Sequence, residues 1–112
     1  MTEPAQIPDQ CRFVAVDPES HHLSIAAGPV PAPGQEEVLI RVHSAGLNRA
    51  DLLQRKGLYP PPQDASPIMG LEVSGTVMAL GANANKWQIG DRVCALTHGG
   101  GYAEYAVAPA SQ

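Results

Sequence analysis

The stretch GLNRADLLQRKGLYPPPQDASPIMGLEVSGTV, residues 46–77, decides the fold of this chain. Its first part has a helical pattern, in which Asn48 can cap the helix and Asp51 lies near the positive end of the helix dipole. We therefore predict one short helix near residues 48–56. A helix of this length is marginal alone, so it must dock on strands.

Strand patterns surround this segment on both sides. Short apolar runs with a two-residue period alternate with turns rich in the chain's 11 Gly and 11 Pro residues. Six strands and one helix indicate a mainly β barrel or sandwich. The first two runs form a candidate hairpin. The predicted strands are Cys11–Val16, Leu23–Ala27, Glu37–Ser44, Leu71–Leu80, Asp91–Thr97 and Tyr102–Val107.

The run from Leu71 to Leu80 allows a more detailed prediction, of which side chains share a face. Its period places one set of side chains, Leu71, Val73, Val77 and Ala79, on one face of the strand, and Glu72, Ser74, Thr76 and Met78 on the other. Gly75 in the middle of the strand indicates a bend or a close approach of another backbone.

Composition limits the classes of function. The 112 residues suffice for one domain, and the net charge of −4 disfavours a nucleic-acid partner. No apolar run approaches the roughly 20 residues of a membrane helix, and the first residues lack the basic start of a secretory signal. We expect a cytoplasmic protein. Cys11 and Cys94 are isolated in sequence, and we predict two buried, reduced thiols.

The side chains that could bind a metal do not form a site. Zinc needs three or four converging Cys, His or carboxylate ligands, and the candidates show no tight spacing. We therefore predict no metal site. The sequence also lacks a phosphate-binding GxxxxGK[ST] or GxGxxG motif. The candidates considered are Cys11, His21, His22, His43, Cys94 and His98.

The triplet of glycines after His98 allows two interpretations. HGGG is similar to the oxyanion-hole loop of some esterases, but that chemistry also needs a GxSxG nucleophile motif, which is missing. We therefore predict a glycine-rich turn that leads into the last strand.

Asn48, Asp51 and Tyr59 form the remaining candidate site. Asn48 offers an amide that donates and accepts hydrogen bonds, and Tyr59 offers a hydroxyl on a flat ring held by the three prolines that follow it. Such a pair could orient a planar carboxamide or carbonyl. Alternatively, Asn48 and Asp51 only cap the helix, and Tyr59 only packs against prolines.

These motifs resemble the N-terminal, GroES-like domain of the medium-chain dehydrogenase/reductase superfamily. Within it, the chain is most similar to the zinc-free quinone oxidoreductases, of the zeta-crystallin-like and tumour-suppressor-inducible types. The similarity covers nearly the whole chain after Cys11 and implies a partly open β-barrel for residues 1–112. The motifs that carry it are GLNRADLLQRKGLYPPP (46–62), GLEVSGTV (70–77), IGDRV (89–93) and GGGYAEYAV (99–107).

The resemblance also shows that two zinc ligands of related enzymes are replaced in this chain. Zinc alcohol dehydrogenases of this superfamily have a cysteine at the position of Asn48 and a histidine at that of Leu71. An amide and an alkyl side chain cannot replace the thiolate and imidazole as zinc ligands. The resemblance thus implies hydride transfer from NADPH to a quinone or an α,β-unsaturated carbonyl without a metal. It implies that Asn48 and Tyr59 act in catalysis, and that Asn48, Asp51 and Tyr59 contact the cofactor.

Members of this superfamily continue into a Rossmann domain, which holds most of the cofactor site. The sequence ends before such a fingerprint, so we expect this chain alone to be inactive and to depend on the Rossmann domain of a parent chain. Glu72 matches a glutamate of the zinc enzymes, and its role is open. The alternative function is a stand-alone GroES-like module for binding or for self-assembly into a homo-oligomer, without catalysis.

Overall fold

The computed structural model describes residues 7–47, 66 and 68–112, and these residues form six strands. The predicted mainly β fold is confirmed, and all six predicted strands are present with small shifts at their ends. The predicted helix near residues 48–56 lies outside the described residues. The strands are β1 (Gln10–Val16), β2 (Leu23–Pro29), β3 (Glu37–Ala45), β4 (Glu72–Leu80), β5 (Arg92–Leu96) and β6 (Tyr105–Pro109).

The strands form two antiparallel sheets. β1 and β2 pair as the predicted hairpin, and the other four strands form a sheet in the order β5-β4-β3-β6. Residues 102–104 join the two sheets, because Ala103 bridges to Phe13 of β1 and the Val14 amide donates to the Tyr102 carbonyl at 2.8 Å. From the Glu104 carbonyl onward, which accepts from the Val42 amide at 2.8 Å, the chain pairs with β3. This change of partner explains why β6 begins at Tyr105 and not at the predicted Tyr102.

One face of the four-stranded sheet carries the main core. Ile40 and Val77 are fully buried there, each with 0% exposure, and Val73 on β4 is nearly so. Trp87 packs at the edge of this cluster and donates from Nε1 to the Ala110 carbonyl at 2.7 Å. Burial of these aliphatic side chains is the main source of stability in a chain with so few aromatic residues.

A second, smaller cluster lies on the opposite face. Leu39 and Met78 pack there with Cys11 and Tyr105, and Ala79 packs against the same cluster. The prediction that Ala79 shares a face with Val77 is therefore wrong. The reason is a bulge: Leu39 pairs with Ala79 but Ile40 pairs with Val77, so Met78 is an extra residue. An extra residue reverses the alternation of side chains beyond it.

Two other sequence predictions concern β4 and β5. Gly75 does meet another backbone closely, because a side chain there would collide with the Arg41 carbonyl oxygen. Both cysteines are free, as predicted, but Cys94 is exposed and the prediction that it is buried is wrong. Cys94 pairs with Ser74 on the part of the sheet's outer face that the hairpin does not cover. Within the described ranges, no helix is long and apolar enough to cross a membrane.

Candidate functional site

The candidate site lies at the end of the four-stranded sheet where β3 ends and β4 begins. The Gly46 amide donates a 2.9 Å hydrogen bond to the Glu72 carbonyl, so the main chains at these two residues lie side by side. The segment with Asn48, Asp51 and Tyr59 begins two residues after Gly46. All three predicted site residues lie outside the described part of the chain, so their roles stay predictions.

A second strand-like contact completes this end of the sheet. Residues 66 and 68–71 lie beside residues 97–102, and main-chain hydrogen bonds connect the two segments. The two segments that carry the GLE and HGGGY motifs are therefore held against each other. These bonds join Ser66 N to His98 O (3.0 Å), Gly100 N to Ile68 O (2.7 Å), Gly101 N to Gly70 O (3.0 Å), Tyr102 N to Met69 O (2.9 Å) and Thr97 N to Leu71 O (2.8 Å).

Gly70 is the point at which this contact is tightest. It has a φ of +108°, which favours glycine, and an added Cβ would lie 2.5 Å from the Tyr102 nitrogen. Thr97, only 7% exposed, donates its hydroxyl to the Gly70 carbonyl at 2.8 Å. A buried hydroxyl with a short bond to a carbonyl fixes the loop in place.

The HGGG segment is a turn, as predicted. Gly99 and Gly100 both have positive φ angles, of 80° and 85°. The turn faces Ser66 and Ile68, because an added Cβ on Gly99 would lie 2.8 Å from the Ser66 carbonyl oxygen and 3.0 Å from that of Ile68. The glycines thus bring the two segments together.

Tyr102 is a residue of this site that the sequence analysis did not single out. Its hydroxyl donates to the Gly46 carbonyl at 3.3 Å across 56 positions of sequence, which ties the last loop to the end of β3. Its place directly after three glycines was the available signal. A tyrosine that follows a turn with positive φ angles can reach back across the sheet end.

Glu72, which matches a glutamate of the zinc enzymes, also lies at this site. It is exposed at the start of β4, and its carboxylate covers Gly46, since an added Cβ on Gly46 would lie 2.9 Å from the Glu72 Cδ. The structure thus places this carboxylate at the candidate site.

Leu71, next to it, is half-buried, and its carbonyl accepts the hydrogen bond from the Thr97 amide. Its alkyl side chain offers no donor atom to a metal ion. Among residues 7–47, 66 and 68–112, no three His, Cys, Asp or Glu side chains cluster as metal ligands would.

Apolar side chains are exposed at this end of the sheet. Leu47, directly after Gly46, is 83% exposed, and Leu96, which pairs with Glu72, is 57% exposed. With the Tyr102 hydroxyl and the Glu72 carboxylate, they give an apolar rim with a few polar groups.

Comparison with known proteins identifies relatives of this chain. Its sequence is 42% identical over 84 residues to the rat synaptic vesicle membrane protein VAT-1 homolog, covering 73% of this chain and 20% of that protein. It is 41% identical over 80 residues to the human quinone oxidoreductase, covering 70% of this chain and 24% of that enzyme. The chain thus spans about a fifth to a quarter of the length of these curated relatives.

A solved structure has the same fold. A mycobacterial protein in complex with NADPH superposes with a TM-score of 0.76 at 36% identity, over 90% of this chain and 31% of that one. The model of the alcohol dehydrogenase GroES-like domain matches residues 34–112. This match contains β3 to β6 and the whole candidate site. The chain therefore belongs to the alcohol dehydrogenase GroES-like domain family, within the superfamily that includes the quinone oxidoreductases.

Proposed function

We propose that this chain is the substrate-side domain of an NADPH-dependent oxidoreductase that transfers hydride to a quinone or an α,β-unsaturated carbonyl, without a catalytic metal. The observation that carries the proposal is the site at the β3–β4 junction. Leu71, which has no metal-binding atom, stands there where a zinc enzyme needs a ligand. The similarity to a quinone oxidoreductase supports the substrate class, and the mycobacterial NADPH complex supports the cofactor.

The described residues fit one part of the cofactor. The apolar rim of Leu47 and Leu96 can cover the face of a nicotinamide or quinone ring, while the Tyr102 and Glu72 side chains supply nearby polar atoms. The described part of the chain forms strands and loops only, so it offers no helix N-terminus for the pyrophosphate. We infer that the Rossmann domain of a longer parent chain holds that group, as the length of the relatives suggests.

NADPH, when bound, supplies the hydride, and the protein supplies position and a dry cleft. We assign Asn48 and Tyr59 to catalysis, where they donate hydrogen bonds that hold the substrate carbonyl, or the cofactor carboxamide, in line for transfer. Asp51 accepts a hydrogen bond from the cofactor. The start of this segment is held by the sheet, because Gly46 is hydrogen-bonded to both Glu72 and Tyr102.

The experiment uses the natural gene product that contains this chain, at its full length. Oxidation of NADPH is followed by its absorbance with a simple benzoquinone as acceptor. We expect turnover in the parent protein, and a loss of kcat/KM of about 100-fold for Asn48→Ala, since one hydrogen bond made mainly in the transition state contributes about that much. Tyr59→Phe should lower kcat/KM in the same direction.

Two matched variants serve as controls. Asn83→Ala removes an exposed amide on a distant loop, and Tyr105→Phe removes a hydroxyl from a buried ring. Both should keep full activity. An Asn48→Ala variant that is folded and as active as Asn83→Ala would refute the assigned role.

The alternative function, a binding or self-assembly module, predicts another result. A full-length protein that forms a defined oligomer, with no change in NADPH fluorescence on mixing and no quinone reduction, would favour the module. The exposed Leu47 and Leu96 give that module a possible contact surface. We further propose a cytoplasmic location, which fractionation of the source cells tests.

A further inference from the structure

Tyr102 is held at three points that belong to different parts of the fold. Its amide donates to the Met69 carbonyl at 2.9 Å, and its carbonyl accepts from the Val14 amide of β1 at 2.8 Å. Its hydroxyl donates to the Gly46 carbonyl at 3.3 Å. Because both main-chain groups are bonded, the side chain starts from a fixed position, and its ring carries the hydroxyl to the end of β3.

The main chain directly before Tyr102 is also held in place. Gly101 donates its amide to the Gly70 carbonyl at 3.0 Å, and an added Cβ on Gly101 would lie 2.9 Å from the same carbonyl oxygen. The two main chains are therefore in direct contact one residue before the tyrosine. A tyrosine side chain has only two χ angles, so its hydroxyl loses little further freedom when it bonds to Gly46.

Gly46 makes two hydrogen bonds, and they hold different peptide planes. The Gly46 amide, which belongs to the plane shared with Ala45, donates to the Glu72 carbonyl at 2.9 Å. The Gly46 carbonyl, which belongs to the plane shared with Leu47, accepts from the Tyr102 hydroxyl. Since each peptide unit is rigid, these two bonds together restrain both backbone dihedral angles of Gly46.

A glycine needs such a restraint more than other residues do. Its dihedral angles vary over a wide range, and a Cβ cannot limit them here, because it would lie 2.9 Å from the Glu72 Cδ. The direction in which the chain leaves β3 depends on these angles. Asn48 is two residues further on, at most about 7.6 Å away between Cα atoms, so a rotation of about 10° at Gly46 can move it by about 1 Å.

We propose that Tyr102 is a positioning residue for the reaction. Its hydroxyl acts by holding the peptide between Gly46 and Leu47 in the orientation that places the Asn48 amide against the substrate or the cofactor. The inference rests on the proposed function, in which Asn48 holds a carbonyl or carboxamide in line for hydride transfer. Tyr102 acts through the main chain and without touching either molecule. A misplacement of about 1 Å can lower a rate by about 100-fold.

The length of the bond limits the expected effect. At 3.3 Å it is longer than the range of about 2.5–3.0 Å that is usual between two oxygens, so its loss should release Gly46 only in part. The bond from Gly46 to Glu72 remains. We therefore expect Tyr102→Phe to lower kcat by about tenfold. The KM for NADPH should change by less than about twofold, because we assign most of the cofactor contacts to the Rossmann domain.

The test uses the full-length parent protein with benzoquinone as acceptor, and compares Tyr102→Phe with Asn48→Ala and with the double variant. If Tyr102 acts through Asn48, its substitution has nothing further to disturb once the Asn48 amide is gone. The double variant should therefore be no more than about twofold slower than Asn48→Ala alone. A hydroxyl with a general structural role would instead give losses that multiply, to about 1,000-fold in the double variant.

Tyr105→Phe is the matched control, because it removes the same hydroxyl from a tyrosine of β6 that packs in the smaller core cluster. It should keep the kcat of the wild type, and both tyrosine variants should melt within about 3 °C of it.

Three results in an active protein would overturn the role of Tyr102: a kcat equal to that of Tyr105→Phe, losses that multiply in the double variant, or a KM for NADPH that rises as much as kcat falls. A wild-type parent protein that reduces no quinone would instead refute the proposed function, and this role of Tyr102 with it.

Discussion

The four-stranded sheet and the β1–β2 hairpin are built from similar residues but are buried very differently. In the sheet, Ile40 and Val77 have no exposed surface, whereas in the hairpin Ile25 is 69% exposed and Leu23 is 47% exposed. The sheet has packed side chains on both faces. Cys11 is the hairpin residue that is buried against it.

This difference indicates which part of the molecule holds the residues of the candidate site in place. The Gly46–Glu72 bond, the Thr97–Gly70 bond and the Tyr102–Gly46 bond all belong to the sheet and the loops at its end. The hairpin is attached through main-chain bonds to residues 102–104 and through the exposed Arg12–Glu104 pair. We infer that the sheet and the loops at its end hold most of the site, and that the hairpin reaches the site only through its bonds to residues 102–104.

The largest expected effect comes from the same substitution made in both regions. Ile40→Ala should lower the free energy of unfolding by about 2–5 kcal/mol, because it removes buried methyl groups and leaves a cavity. Ile25→Ala should change it by less than about 0.5 kcal/mol, since its side chain is mostly in water already. Urea unfolding followed by circular dichroism measures both. Equal losses in the two variants would show that the hairpin is as firmly packed as the sheet.

A smaller loss of stability is expected from a substitution at Gly70, at the end of the four-stranded sheet. Gly70→Ala and Gly90→Ala both place a side chain at a positive φ, of 108° and 98°, but only at Gly70 does the new Cβ meet backbone. The collision with the Tyr102 nitrogen should make Gly70→Ala about 1–3 kcal/mol more costly than Gly90→Ala. Thermal unfolding of the two variants gives the difference. Equal stability of the two variants would mean that residues 68–71 and 97–102 can move apart at no cost in free energy.

The smallest expected effect on stability concerns the Arg12–Glu104 ion pair, which attaches the hairpin to residues 102–104. The hydrogen bond from the Arg12 side chain, with one from the Arg12 main-chain amide, lowers the pKa of Glu104 below its ordinary value of 4.5. A carboxyl whose pKa is lower in the folded protein stabilises the fold above its unfolded pKa, and the effect is lost as pH falls through the folded value. Glu104→Gln should therefore lower the melting temperature slightly at neutral pH, and the difference should vanish in acid.

Glu19→Gln, in the turn of the same hairpin, is the control for this measurement. Its carboxylate is exposed. It should show little difference from the wild type at either pH. A Glu104→Gln deficit that persists in strong acid would mean that the pair is not its cause.

Much of the fold could be predicted from the sequence, and the failures have identifiable causes. Alternation of apolar residues located the strands of the four-stranded sheet, because each of them has a buried face. Alternation could not show the bulge at Met78, since an extra residue leaves the apolar content unchanged while it reverses the faces of Ala79 and Leu80. Nor could it show that the outer face near Cys94 stays open, because exposure there depends on where the hairpin docks.

The candidate site was predictable in part. Motif order predicted the family, which the match over residues 34–112 confirms. The residues at positions 48 and 71 predicted the zinc-free branch, and that part stays a prediction. Tyr102 was missed because its contact with Gly46 joins residues far apart in sequence, and no local pattern encodes such a contact. Glu72 was named, but its contact with Gly46 could not be predicted for the same reason. The roles of Asn48, Asp51 and Tyr59 remain predictions.

The central claim is that hydride passes from NADPH to the acceptor without a metal. The most direct measurement is quinone reduction by the full-length parent protein before and after exhaustive treatment with a zinc chelator, together with elemental analysis. We predict full activity in protein that contains no stoichiometric zinc. Activity that is lost with the chelator and restored by Zn²⁺ would contradict the account.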